Sequence, residues 1–73
     1  MKNPLLEALR KKYEGEIAVA NANINVYVTN PVGIGEHPNL VAAVDSEVKK
    51  LADATDKLNV LLNNYSENLT DYL

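Results

Sequence analysis

The residues whose chemistry could be put to work sit at the centre of the chain, in Asn30-Pro31-Val32-Gly33-Ile34-Gly35-Glu36-His37-Pro38. Gly33-Ile34-Gly35 ahead of a helix has the form of half a phosphate cradle, where backbone N–H groups and a helix N-terminus hold an anion. A complete cradle needs a third Gly, or a Lys followed by Ser or Thr, and neither follows here. Glu36 would also repel a phosphate. Glu36-His37 could open a metal site, but such a site takes three or four ligands. His37 is the only His, there is no Cys, and the next carboxylates, Asp45 and Glu47, come two turns or more along the following helix. A nucleophile–base pair has no second His or Cys to draw on. Glu14 and Glu16 lie two apart, so on a helix they point to different faces. The expectation is a protein with no catalytic residues, no metal, no cofactor and no small-molecule substrate. Pro31, Gly33, Gly35, His37 and Pro38 are read as turn geometry, with positive φ expected at Gly33 or Gly35.

The elements flanking this loop read as two long helices. Asn3-Pro4 opens the first, because Asn is a favoured N-cap and Pro suits the first helical position. Leu6, Leu9, Tyr13, Ile17, Ala20, Ile24 and Tyr27 or Val28 then recur at spacings of three and four, one face of a helix. Glu7, Arg10, Lys11, Glu14, Asn21 and Asn25 occupy the other face, with Glu7 and Lys11 in the favourable four-residue order. Gly15 weakens the helix by up to ~1 kcal/mol relative to Ala. The β-branched alternation of Ile24 to Thr29 is a strand signal. The unbroken three-four spacing from Leu6 favours helix there. Pro31 stops the helix at or before Asn30.

The second helix is expected from Pro38. Its seam is a heptad of Val41, Val44, Val48, Leu51, Thr55, Leu58, Leu62 and Tyr65, widened on one side by Leu40, Ala54 and Leu61. Asp45, Lys49, Asp53 and Lys57 alternate in sign every four residues, as on an exposed face. Leu69 and Tyr72 prolong the seam, although Ser66, Asn68, Thr70 and Asp71 form helix poorly. The fold expected is all-α: one antiparallel two-helix hairpin, with a helix at about 4–29, a loop at 30–37, a helix at about 38–65 and a tail or helical extension at 66–73. Helices of ~39 and ~42 Å match in length at 1.5 Å per residue, and a short connection makes them antiparallel. Folded about Ile34, the hairpin would bring Arg10 and Lys11 near Asp53 and Asp56.

Seventy-three residues give a single domain with a thin core. Small domains add disulfides, a metal or a partner subunit, and without Cys and with one His the partner subunit is the choice left. The absence of Cys fits a reducing compartment. No secretory leader is expected, since charged residues interrupt the short apolar run after Lys2. No stretch approaches the ~18 apolar residues of a membrane span, so the sequons at Asn64 and Asn68 are read as chance. A net charge of −3, with no Lys or Arg between Tyr13 and Val48, argues against nucleic acid. The Arg10-Lys11-Lys12 knot is read as a solvated helix face. Tyr13, Tyr27, Tyr65 and Tyr72 fall on or beside the apolar stripes and suit their edges.

The stretch Val26-Tyr27-Val28-Thr29-Asn30-Pro31-Val32-Gly33-Ile34-Gly35-Glu36-His37-Pro38-Asn39-Leu40-Val41 resembles the centre of small proteins of contractile-tailed bacteriophages of marine cyanobacteria. There an Asn-Pro-Val-Gly-Ile-Gly-Glu-His-Pro motif separates two amphipathic segments, and the opening Asn3 to Lys12 is similar too. The resemblance implies a phage setting, in the virion or the host cytoplasm, and carries no activity, cofactor or site residue with it. The expected function is a non-catalytic structural or protein-interaction module, self-associating or docked on a larger assembly. Leu40, Leu61, Leu62, Tyr65, Leu69 and Tyr72 are its expected interface. The alternatives are a small phage regulator that binds a host protein, and ligand binding by the loop.

Overall fold

The computed structural model describes residues 2–30 and 39–69. Helix α1 spans Pro4–Thr29, helix α2 spans Leu40–Tyr65, and a single 3-10 turn, Ser66–Asn68, follows α2. The two helices pack along their lengths into an all-α hairpin, a rod about 49 Å long and 17 Å wide. The loop residues Pro31, Gly33, Gly35, His37 and Pro38, and Tyr72 in the tail, lie outside the described residues.

Helix α1 starts where the sequence places it. The Asn3 side chain accepts from the backbone N–H groups of Leu5 (2.9 Å) and Leu6 (3.2 Å), two of the donors a helix start leaves without partners. The β-branched end is helical through Thr29. Thr29 Oγ1 donates back to the Asn25 carbonyl at 2.7 Å, which occupies the hydroxyl within the helix. The Asn30 N–H closes the last turn on Val26 O at 2.8 Å. At Gly15 an added methyl group would meet nothing within 4 Å, so packing does not require glycine there.

Helix α2 starts two residues later than expected. Asn39, not the residue before Pro38, is the cap. Its backbone is extended (φ −142°, ψ 93°) and its side chain accepts from Ala42 N–H at 2.9 Å. An Asn next to a Pro is the better cap because its side chain supplies the missing acceptor.

The tail corrects a second expectation. After Tyr65 the chain tightens into the 3-10 turn, and Leu69 is extended (φ −115°, ψ 138°). Its N–H returns to Ser66 O at 3.0 Å. Leu69 is completely buried, where the sequence reading had it prolong an exposed seam. The tail crosses the start of α1: Asn3 N–H donates to Asn68 O and Lys2 Nζ to Leu69 O, each at 3.0 Å. These bonds join the first residues of α1 to the end of α2, which makes the hairpin antiparallel. Burying one Leu contributes roughly 1.5–3 kcal/mol, more than a solvated final helical turn of poor helix formers would.

Ala20, Ala54, Leu61 and Leu69 are the fully buried apolar residues among those described. The α1 stripe lies as expected, with Leu6, Leu9, Tyr13, Ile17, Ile24 and Tyr27 half-buried around Ala20. Its last member is Tyr27, since Val28 is exposed. On α2 the buried line is not the heptad seam. It runs through Glu47, Ala54 and Leu61, seven residues apart, with Ala43, Leu51 and Leu58 half-buried beside it. The small Ala20 and Ala54 let the two backbones approach closely.

Candidate interaction surface

Turning α2 by one rank of side chains gives the hairpin two unlike sides. Successive helical residues are ~100° apart. Measured from the line of Glu47, Ala54 and Leu61, the residues Lys50, Asp53 and Lys57 fall ~40–100° to one side, and Val44, Leu62, Thr55, Val48 and Val41 fall ~80–140° to the other.

The first side is a charged groove of about 560 Å³ between the helices, with Gly15, Ala20 and Ala54 among its lining. Lys11, Lys12, Lys50 and Lys57 share it with Glu16, Glu47 and Asp53. Most of these charges already have local partners. Lys50 reaches Glu47 at 3.3 Å, Lys49 reaches Asp53 at 2.9 Å from outside the groove, and Lys57 lies 5.9 Å from the centre of the Tyr13 ring. The Lys49–Asp53 pair is the expected ladder rung. Both of its members are well exposed, so it contributes only a few tenths of a kcal/mol, up to ~1. Glu47 is different. Its side chain is only 12% exposed, and Oε2 is buried with no hydrogen-bond partner. The sequence carried the signal for this, because Leu40, Ala54 and Leu61 are members of a seven-residue series whose remaining member is Glu47.

The Arg10-Lys11-Lys12 knot splits between environments. Lys11 and Lys12 are exposed in the groove, and Lys11 shares it with Asp53. Arg10, expected on the solvent face near Asp53 and Asp56, is buried and held within α1. Its guanidinium donates to Glu7 and Glu14, 3.0 Å each, from positions three before and four after. Two carboxylates on one guanidinium offset the cost of taking the charge out of water. Glu7 therefore pairs with Arg10, a geometry the three-four spacing also allows.

The second side is apolar along α2, while on α1 it also carries the Glu7, Arg10 and Glu14 cluster. Val41 is 81% exposed and Val48 46%, Thr55 is exposed, and Val44 and Leu62 are half-buried. Leu40, Val41, Val44, Asp45 and Val48 line a wide, nearly flat depression at the start of α2. By the same helical geometry Ile17, Ile24 and the exposed Val28 of α1 lie on this side. Of the interface residues expected from sequence, Leu40, Leu62 and Tyr65 retain accessible surface. Leu61 and Leu69 do not, because α1 and the tail bury them within the chain. Val41 and Val48, members of the heptad seam read from the sequence, are on the open side.

Among the described residues no group of three or more His, Cys, Asp or Glu side chains is placed to hold a metal, and no helix is long and apolar enough to cross a membrane. Compared with protein-family models, with curated proteins and with solved structures, the chain matches none.

Proposed function

We propose that this chain is a non-catalytic protein-interaction module that docks through the apolar side of α2. The observation that carries this reading is the open heptad. Val41, Val44, Val48, Thr55 and Leu62 form a regular seam that α1 leaves wholly or partly exposed, on a hairpin whose buried apolar residues, among those described, are two alanines and two leucines. Contiguous apolar surface of this kind marks an interface, and a core this thin is of the kind that a partner subunit completes. The resemblance of residues 26–41 to small proteins of contractile-tailed phages supports a setting in the virion, or in the host cytoplasm during assembly. The hairpin would then act as a structural part that self-associates or joins a larger assembly.

The test is Val48→Glu, which places a carboxylate in the middle of the open seam without touching the buried line. The wild-type chain should elute as a complex in size-exclusion chromatography with light scattering, either alone or with a protein of the source particle. The variant should lose that complex and keep its helical circular dichroism. A wild-type monomer with no partner among the particle proteins would sink the reading. So would a variant that assembles as well as wild type.

A further inference from the structure

The open seam has a property that its role as an interface does not require: it is complementary to itself when reversed. We infer that its partner is a second copy of this chain, packed with the two α2 helices antiparallel about a two-fold axis level with Asp53. This rests on the reading of the seam as an interface and names the occupant.

The eight heptad positions decide the register: Val41, Val44, Val48, Thr55 and Leu62 on the open side, the exposed Tyr65, and Leu51 and Leu58, which are half-buried at the edge nearer α1 and keep part of their surface accessible. Antiparallel helices that share a heptad seam set each first-position residue of one copy against a fourth-position residue of the other. Here that sets Val41 of one copy against Tyr65 of the other, Val44 against Leu62, Val48 against Leu58, and Leu51 against Thr55. The two-fold axis repeats each layer, and no seam residue is left without an opposite. Each layer also pairs a smaller with a larger side chain. The first half of the seam is Val, Val, Val, Leu, and the second is Thr, Leu, Leu, Tyr. A parallel pair would instead stack Val on Val at one end and Leu or Tyr on its like at the other, a core that tapers. Cores reach native density when large and small residues face each other.

Two surface features fit the same register. The depression lined by Leu40, Val41, Val44 and Val48 is where Leu62 and Tyr65 of the second copy would arrive. The residues that flank the seam away from α1 are Asp45, Ala52 and Asn59, all exposed. In the antiparallel register Asp45 meets Asn59 and Ala52 meets its own copy near the axis, so no like charges face each other and a small residue sits where the backbones are closest. Two hairpins joined in this way form a four-helix bundle, with α1 on the outer flank of each α2.

The chain has no Cys, so single-Cys variants can carry one spin label each without side reactions. Asp45→Cys, Ala52→Cys and Asn63→Cys all lie at exposed positions. Pulsed dipolar spectroscopy then reads the distance between the two copies of each label. The antiparallel register predicts axial separations of ~24 Å at residue 45, ~3 Å at 52 and ~30 Å at 63, at 1.5 Å per residue. The measured distance should therefore pass through a minimum at Ala52. Val48→Glu, which puts a carboxylate into two of the layers, should weaken the dimer by at least about a hundredfold. Equal distances at all three positions would overturn the antiparallel register. Absence of dipolar coupling at concentrations of tens of micromolar would overturn self-pairing. If a different protein is then held by the wild-type chain and lost in Val48→Glu, the seam is an interface for that protein and only the second copy is refuted. If none is, the interaction reading falls as well.

Discussion

Glu47 is the residue whose chemistry and position disagree most. It occupies the buried line of α2 between Leu40 and Ala54, and one of its oxygens makes no hydrogen bond. The single ion pair it makes is to Lys50, which is mostly exposed, so the pair returns little. Leaving a buried acceptor without a donor costs about 1–3 kcal/mol. Glu47→Leu removes that cost and continues the line with a residue of its own kind. The expected outcome is a gain of about 1–2 kcal/mol in urea denaturation followed by circular dichroism, with helicity unchanged. A loss of stability would show that the carboxylate has a donor in solution. Arg10 is also buried, and the two terminal nitrogens of its guanidinium are bound by Glu7 and Glu14 at the spacing that a helix provides.

At the scale of the elements, α1 was readable almost completely. Its cap, its end and its apolar stripe all follow from Asn3-Pro4, from Pro31 and from the three-four spacing of Leu6 to Tyr27. Even the β-branched stretch obeyed that spacing, with Thr29 bonded back into its own helix. The face of α2 was not readable in the same way. Its sequence carries two apolar lines about 100° apart, one through Leu40, Ala54 and Leu61 and one through Val41, Val48 and Leu62. Periodicity ranks the second higher because it is longer and contains larger residues. Packing chose the first, where Ala54 admits the other helix. The tail was unreadable for a different reason. Leu69 is buried by contact with residues some 67 positions earlier in the chain, and no local pattern encodes that. This changes what the tail is expected to do. From sequence alone, cutting it should loosen association. With Leu69 fully buried, Leu69→Ala should destabilise the hairpin itself by about 2–5 kcal/mol, seen as an earlier thermal transition at fixed protein concentration. The Val48→Glu contrast then separates the two roles, because the tail variant weakens the fold while the seam variant weakens the contact. If Leu69→Ala leaves the melting temperature where it was, the tail does not hold the start of α1.

For the whole molecule the question is how a rod of two helices stays folded. Two of the four buried apolar residues among those described are alanines, which bury little apolar area. The half-buried stripe residues add to this, but a chain of this size usually needs a further device, and without Cys a disulfide is not among them. If the open seam is covered by a second copy, association adds to the stability of the hairpin, and that stability depends on protein concentration. Each tenfold dilution then removes about 1.4 kcal/mol per dimer, the free energy of a tenfold change in an association constant. The melting temperature should fall steadily across a dilution series from hundreds of micromolar to about one micromolar. Val48→Glu should melt lower at the top of that series and vary less along it, because it disfavours the contact that makes concentration matter. A wild-type melting temperature that holds constant over the whole series would mean that the hairpin sustains itself, with Arg10, Glu7 and Glu14 and the folded-back tail supplying what the alanine core lacks.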